Sequence, residues 1–309
     1  MIKVEGLTKR FRGSWAVSGI SFEVARGEIF GFVGPNGAGK TTTMRVLAGL
    51  LRPTSGSAWL DGIDVIADPM AVRERIGFMP DFFGVYDQFT TDEYLSFYAS
   101  CYGIPRARIK VVVTDLLDLI NLADKRHQPV DSLSRGMKQR LCLARTLVHD
   151  PPVLILDEPA SGLDPRARHE MRELLVELRE MGKTILISSH ILPELAELCT
   201  SFGILSGGRM VTSGSMGELV GEMGRRRARV RINGDPEAWL APIRQQAGVA
   251  GVDAGAGWLE IEYEGADDEA SALLAGMIRA GIPVLSFTPV ETDLEQVFLR
   301  LTTATGETA

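Results

Sequence analysis

The run Gly34-Pro35-Asn36-Gly37-Ala38-Gly39-Lys40-Thr41-Thr42 constrains this chain more than any other stretch. It fits the pattern G-x-x-x-x-G-K-[ST], and that pattern makes demands on what flanks it. Its glycines let the backbone bend tightly, so that successive N–H groups point at one centre, and a helix starting beyond them adds the positive end of its dipole. Such a concavity holds phosphate oxygens. Lys40 would neutralise the β- and γ-phosphates of a nucleotide, and the Thr41 hydroxyl would ligate Mg²⁺. Upstream, Glu28 to Val33 is a short apolar run suited to a buried strand, while Met44, Leu47, Leu50 and Leu51 recur at helical spacing downstream. Strand, glycine loop and helix therefore follow in the required order, which a glycine turn that binds nothing does not explain.

A chain of 309 residues has room for one large domain and an appendage. Its formal net charge of −7 supplies no global basic field for nucleic acid. Cys101, Cys142 and Cys199 are scattered, without a C-x-x-C pair, which suits a reducing cytosol. Met1 to Gly13 is mixed and charged, so no secretory leader is expected there, and no apolar run approaches the roughly 20 residues that cross a bilayer. If the protein works at a membrane, a partner must supply the spanning helices.

Before the glycine loop, Ile2 to Val4 and Ile20 to Val24 read as strands, with Lys9-Arg10-Phe11-Arg12 as a polar loop between them. Phe11 either stacks on a nucleotide base or covers a sheet edge. After the loop's helix, Ser57 to Leu60 and Arg75 to Pro80 read as strands, the second ending at a proline and followed by Asp81. From about Phe89 to Asp131 the pattern turns helical. Leu133-Ser134-Arg135-Gly136-Met137-Lys138-Gln139-Arg140 then opens another helix, with Ser134 as its N-cap.

Val153-Leu154-Ile155-Leu156-Asp157-Glu158-Pro159 has the form of a Walker B strand, four apolar residues followed by two acids. In open α/β sheets ligands sit at the carboxyl ends of strands, so these acids arrive beside the phosphates. Asp157 suits the Mg²⁺ shell and Glu158 the polarisation of an attacking water. Ser161-Gly162-Leu163-Asp164-Pro165 makes a turn before a helix with the stripe Met171, Leu174, Leu175 and Leu178. A final buried strand is expected at Thr184 to Ile187, ending in Ser188-Ser189-His190. His190 read alone is a capping or core histidine; its place at a strand's carboxyl end, like the acids, turns the reading to function.

Taken together, these residues resemble the nucleotide-binding subunit of ABC transporters over about residues 1 to 215. The elements stand in family order: an aromatic at Phe11, the phosphate loop, a loop at Asp81, the signature from Leu133, Walker B, the D-loop at Ser161 to Asp164 and the switch His190. The resemblance implies that two such domains meet head to tail around two ATP molecules. Ser134 and the Gly136 amide would then reach the γ-phosphate bound by the partner, His190 would hold the γ-phosphate of its own subunit, and Asp164 would couple the two sites. Two departures stand out. The family pattern L-S-G-G-Q is here Leu133-Ser134-Arg135-Gly136-Met137, which keeps the serine and second glycine but loses the first glycine and the glutamine. The loop that usually carries glutamine has Asp81, which we expect to lie near the metal and to couple the site to the partner.

From Glu218 the composition changes. Arg227-Ala228-Arg229-Val230-Arg231-Ile232 alternates strictly, with arginines on one strand face that is either solvated or set against lipid headgroups or an acidic partner. A helix from about Pro236 to Ala247, a strand Trp258 to Tyr263, a helix Asp267 to Ala280 and a strand Val284 to Phe287 follow. A last helix carries the capping pair Thr292 and Glu295 and the stripe Leu294, Val297, Phe298 and Leu301. This ending resembles the C-terminal appendage of ABC-2 type exporter ATPases.

The expectation is therefore an α/β fold of the P-loop NTPase type over 1–217, with a helical subdomain at about 89–150 and a small α+β accessory domain over 218–309. Its function would be ATP hydrolysis for an ABC-2 type exporter with a separate membrane permease, at the cytoplasmic face of the membrane and without nucleic acid. The rival is a soluble ABC ATPase acting on ribosomes or DNA, but neither two cassettes in one chain nor long coiled coils appear. A phosphate-loop kinase or GTPase leaves the signature and His190 unexplained.

Overall fold

The structure, a computed structural model, describes residues 1–81, 84, 88–222, 225–265 and 267–290. Contacts divide the chain into two units, Met1–Ser213 and Gly214–Leu301.

In the first unit, alternating apolar residues build an antiparallel hairpin of β1 (Ile2–Phe11) and β2 (Ser14–Val24), which buries Ile2, Val4, Leu7, Val17, Ile20, Phe22 and Val24. Lys9, Arg10 and Phe11 belong to β1 and pair with Val17, Trp15 and Ser14, so the expected loop is only the turn at Arg12-Gly13. The polar residues at this exposed end of the hairpin hid the strand period. β3 (Ile29–Val33) is buried at every position, and α1 (Lys40–Leu47) follows the glycine loop. Next come β4 (Ser55–Leu60), the short β5 (Ile63–Asp64), α2 (Pro69–Arg75) and β6 (Ile76–Met79).

The helical segment holds α3 (Thr91–Cys101), α4 (Arg106–Leu119) and α5 (Arg135–Leu147). Thr90 opens α3 with a capping box: its Oγ1 accepts from the Glu93 N–H while the Glu93 carboxylate accepts from the Thr90 N–H. The chain then runs through β7 (Val153–Asp157), α6 (Pro165–Glu180), β8 (Thr184–Ser188), α7 (Leu192–Leu198), β9 (Ser201–Ser206) and β10 (Arg209–Gly214). The Thr184 to Ile187 strand is thus not the final one, since β9 and β10 both extend the same sheet. Serine and glycine interrupt the apolar run of β9, although Phe202, Ile204 and Leu205 are fully buried.

β1, β2, β4 and β5 form a small antiparallel sheet, whereas the larger sheet has the order β10-β9-β3-β8-β7-β6. In that sheet β9, β3, β8, β7 and β6 are parallel. Both faces of its centre are covered, which is why β3, β7 and β8 read as unbroken apolar runs rather than as alternation. The order matters more than the burial. β3 and β7 flank β8, and their register sets Phe32 and Asp157 on either side of Ser188. Three strand ends from distant parts of the sequence therefore open onto one edge.

In the second unit α8 (Met216–Glu222) precedes β11 (Arg225–Ile232), α9 (Leu240–Arg244), β12 (Val249–Gly255), β13 (Trp258–Glu264), α10 (Asp267–Arg279) and β14 (Val284–Val290). The sheet order is β12-β13-β11-β14, entirely antiparallel, in a β-α-β-β-α-β arrangement. Ala228, Val230, Leu259, Ile261 and Tyr263 pack with Ile243, Leu273 and Met277 from the helices. The helix expected from Pro236 to Ala247 is instead a 3₁₀ turn, Pro236–Trp239, followed by the short α9, within which Pro242 removes a backbone donor. The strand β12 escaped the sequence reading, having a single buried apolar residue, Val252.

The arginine face of β11 finds its acidic partner inside the unit. Arg227 pairs with Glu260 at 2.9 Å and Glu262 at 3.7 Å, and Arg229 reaches Glu260 at 3.7 Å while lying 4.5 Å from the centre of the Trp258 ring. The last expected helix, with Thr292, Leu294, Glu295, Val297, Phe298 and Leu301, lies outside the described residues. Among the described residues no helix is long and apolar enough to cross a membrane.

Candidate functional site

Gly34 follows β3 directly and passes so close to β9 that a Cβ there would stand 2.4 Å from the Leu205 carbonyl oxygen. Gly39, the residue before α1, has φ 102°, and a Cβ on it would meet the Ala16 carbonyl oxygen at 2.6 Å. Both glycines are thus required by backbone approach, and together they bring the loop back over the sheet edge.

The loop frames a cavity of 330 Å³. Asn36, Gly37, Ala38, Gly39, Lys40, Thr41 and Thr42 line it from one side, Asp81, Asp157 and Glu158 from the strand ends, and Phe11 and Ala16 from the hairpin. Gly34 and Pro35 contribute through their carbonyls, which accept from Lys40 Nζ at 2.5 and 3.1 Å. Burial lowers the Lys40 pKa, opposed by the Glu158 and Asp157 carboxylates. Phe11 is 45% exposed, with Lys9 Nζ 5.0 Å from its ring centre. Its aromatic face is therefore at the cavity, not folded into a core.

Asp157, at the end of β7, is 2% exposed and its Oδ1 accepts from the Ser188 hydroxyl at 2.7 Å. Ser188 serves twice, since its Oγ also accepts from the Glu158 N–H at 3.1 Å. Glu158 has φ 53°, a left-handed conformation rare for a residue with a side chain. Three backbone contacts over-determine it: its N–H to the Ser188 hydroxyl and carbonyl oxygens, and its own carbonyl accepting from Ser161 N–H at 3.1 Å. The effect is to turn the carboxylate, whose side chain is only 14% exposed, toward His190, where Oε2 lies 2.8 Å from Nδ1. A carboxylate only accepts, so Nδ1 carries the hydrogen. His190 itself is 55% exposed.

Sequence reasoning passed over Ser188 and Ala16. The available signal for Ser188 was its place at the end of β8, level with Asp157 in the neighbouring strand. Ala16 gave none, because its carbonyl is what the loop approaches.

Ser134, Gly136 and Asp164 do not line this cavity. Ser134 caps α5, accepting from the Met137 N–H at 3.3 Å, and Asp164 caps α6, accepting from the Ala167 N–H at 2.9 Å. Gly136 is buried against α6, where a Cβ would come within 2.8 Å of the Ala167 methyl. These residues form a second cluster of their own, at the adjoining starts of α5 and α6.

A family model described as ABC transporter matches residues 17–161. Over 307 residues the chain is 37% identical to the Nod factor export ATP-binding protein I of Ralstonia nicotianae, spanning 98% of this chain and 94% of that one. It is 32% identical to the linearmycin resistance ATP-binding protein LnrL of Bacillus subtilis, over 98% of both chains. Among solved structures, cbiO1 from Clostridium perfringens, part of the ABC transporter complex cbiONQ, is similar with a TM-score of 0.65 and 32% identity, covering 72% of this chain and 91% of that one. A dimeric ATP-binding cassette bound to ADP and Pi, 23% identical over 70% of this chain and 99% of its own, shares the fold with a TM-score of 0.64.

Proposed function

Because the chain belongs to the ABC transporter family, as one of its ATP-binding subunits, we propose that it hydrolyses ATP between two closed cassettes and transmits their closure to a separate export permease. The observation that carries the chemistry is the Glu158–His190 pair: Glu158 lines the phosphate-loop cavity, and its unusual backbone accompanies the contact with His190.

Glu158 acts as general base. It takes a proton from water, whose oxygen attacks the γ-phosphorus in line with the departing ADP oxygen. Lys40 exchanges the Gly34 and Pro35 carbonyls for phosphate oxygens, and Phe11 offers its ring to the base. His190, tethered to Glu158 yet exposed, is the side chain able to turn onto the γ-phosphate. Ser134 and the first-turn amides of α5, which have no helical partner, serve the nucleotide of the second cassette. That assignment is supported by their exclusion from the cavity of their own subunit. Asp164 couples the two sites.

Mg²⁺ fits the donor set. Among the described residues no three acidic, histidine or cysteine side chains converge to hold a metal ion alone. Mg²⁺ takes one or two protein oxygens and completes its shell with substrate phosphates and water. Among the described residues Asp81, Asp157 and Glu158 share the cavity with a single lysine, so a polyphosphate entering without a cation would meet net repulsion. Thr41 and Asp157 would hold the ion, which supplies charge neutralisation at the phosphates, with Asp81 beside it. Replacing Asp81 by glutamine is accordingly expected to raise the Mg²⁺ concentration for half-maximal ATPase by roughly tenfold. An unchanged Mg²⁺ titration, ATPase rate and permease stimulation would remove Asp81 from this role.

Full-length likeness to export ATP-binding proteins supports export as the task, and a peripheral position at the cytoplasmic face of the membrane follows from dependence on a permease. The test is affinity capture of tagged Glu158→Gln protein with ATP from detergent-solubilised native membranes. Recovery of a multi-spanning permease is the expected result, whereas recovery of only ribosomal or DNA-associated proteins would overturn the export reading and leave the nucleotide chemistry intact.

A further inference from the structure

Arg135 stands where the family pattern has a glycine, and its contacts give it a task. Its Nη2 donates to the Ser161 carbonyl oxygen at 2.9 Å. Gln139, one turn further along α5, donates to the same oxygen through Nε2 at 3.1 Å. Gln139 is only 5% exposed and holds the Ser161 carbonyl from within the unit, while Arg135 holds the same oxygen from the exposed side. The guanidinium also covers Gly162. A Cβ at that position, whose φ is +66°, would come within 2.5 Å of Arg135 Cζ and Nη2. Gly162 therefore gives the turn its left-handed backbone and leaves room for the planar group upon it.

The contact does not stop at the turn. Ser161 donates its own N–H to the carbonyl of Glu158 at 3.1 Å. A continuous path of hydrogen bonds thus runs from the first residue of α5 through one peptide carbonyl and one peptide N–H to the residue with the over-determined backbone.

We propose that Arg135 is a positioning residue that ties the start of α5, through Ser161, to the backbone of Glu158 and so links the two nucleotide sites served by one subunit. The proposal rests on reading Glu158 as the base of its own site and Ser134 as a group for the second cassette's γ-phosphate. When the second nucleotide draws on the start of α5, the Ser161 carbonyl is drawn with it and the orientation of Glu158 changes. A glycine at 135, as in the family pattern, has no side chain to make this link, and Gln139 alone would hold the turn. Lysine would retain a donor but not the planar group that lies on Gly162.

The test measures steady-state ATP hydrolysis against ATP concentration for the purified full-length chain and its Arg135→Gly, Arg135→Lys and Glu158→Gln variants, with nucleotide binding and thermal unfolding measured on each. The expected result for Arg135→Gly is a fall of roughly tenfold in kcat, the size of one lost charge-assisted hydrogen bond. It should come with a Hill coefficient for ATP reduced toward one, while nucleotide affinity and Tm stay near those of the parent. Arg135→Lys should recover part of kcat but not the full Hill coefficient. Parental kcat and Hill coefficient in Arg135→Gly would overturn the proposal, as would a loss of rate that only follows a loss of folded protein. Failure of the underlying reading has a separate sign, undiminished hydrolysis by Glu158→Gln.

Discussion

Replacing Glu158 by glutamine is expected to lower ATP turnover by roughly 10²–10⁴-fold, the contribution of a positioned general base, while ATP binding is retained. The amide has nearly the shape of the carboxylate and keeps an oxygen that can accept from His190 Nδ1, as the Glu158 Oε2 does at 2.8 Å. The contacts that impose the left-handed backbone involve the peptide N–H and carbonyl of residue 158 and so survive the change. What disappears is the capacity to take a proton from water, together with one negative charge beside the triphosphate. The Glu158→Gln protein should consequently bind ATP at least as tightly as its parent and accumulate as an ATP-dependent dimer on size-exclusion chromatography. Phosphate release near the parental rate would exclude Glu158 as the base, and monomer at saturating ATP would exclude closure on unhydrolysed nucleotide.

The second large effect is expected at Lys40. Its Nζ is the only cationic group among the described residues that line the cavity, which include Asp81, Asp157 and Glu158. The side chain is 6% exposed and donates to the Gly34 and Pro35 carbonyl oxygens. Its hydrogens are thus already directed into the loop, and little reorganisation separates this arrangement from one with phosphate oxygens as acceptors. Lys40→Ala removes charge-assisted hydrogen bonds worth about 1.5–3 kcal/mol each, so ATP affinity should fall by at least roughly tenfold, as read by titration with a fluorescent ATP analogue. The pH dependence adds a signature. Burial lowers the Lys40 pKa, so the free protein loses this charge on the alkaline side earlier than an exposed lysine would. ATP affinity of the parent should decline through that range, and the decline should be missing in Lys40→Ala. Affinity within twofold of the parent would refute the role.

Much of this site was legible before any coordinates, because its parts are short and locally encoded. A glycine loop between a strand and a helix, two acids at the end of an apolar run and a histidine at the end of another carry their chemistry in adjacent residues. The rule that ligands gather at the carboxyl ends of parallel strands then brings them together. The places where the reading failed share a cause as well. β9 and β12 have apolar patterns broken by serine, glycine and aspartate, and are made strands by pairing, β9 with the distant β3 and β12 with the adjoining β13. The end of β1 looked like a loop because its polar side chains face water while its backbone pairs with β2.

The sequence by itself pointed to ATP hydrolysis and to the groups proposed for it: Lys40 and the loop for phosphate, Asp157 and Thr41 for a hard cation, Glu158 for a water proton and His190 at the end of another strand. Tertiary structure alone decided how these groups are held. Only the strand order β3-β8-β7 sets Ser188 level with Asp157 and places its hydroxyl between that acid and the Glu158 N–H. Only the packing of α5 against the turn before α6 brings Arg135 onto Gly162 and the Ser161 carbonyl. In the second unit, the register of β11 with β13 sets glutamates opposite arginines for which the sequence favoured a solvated face over lipid or an acidic partner. The division has a physical basis. A side chain's reactivity belongs to the residue and its near neighbours, whereas its orientation depends on hydrogen bonds to residues tens of positions away, and these exist only once the sheet has chosen its order.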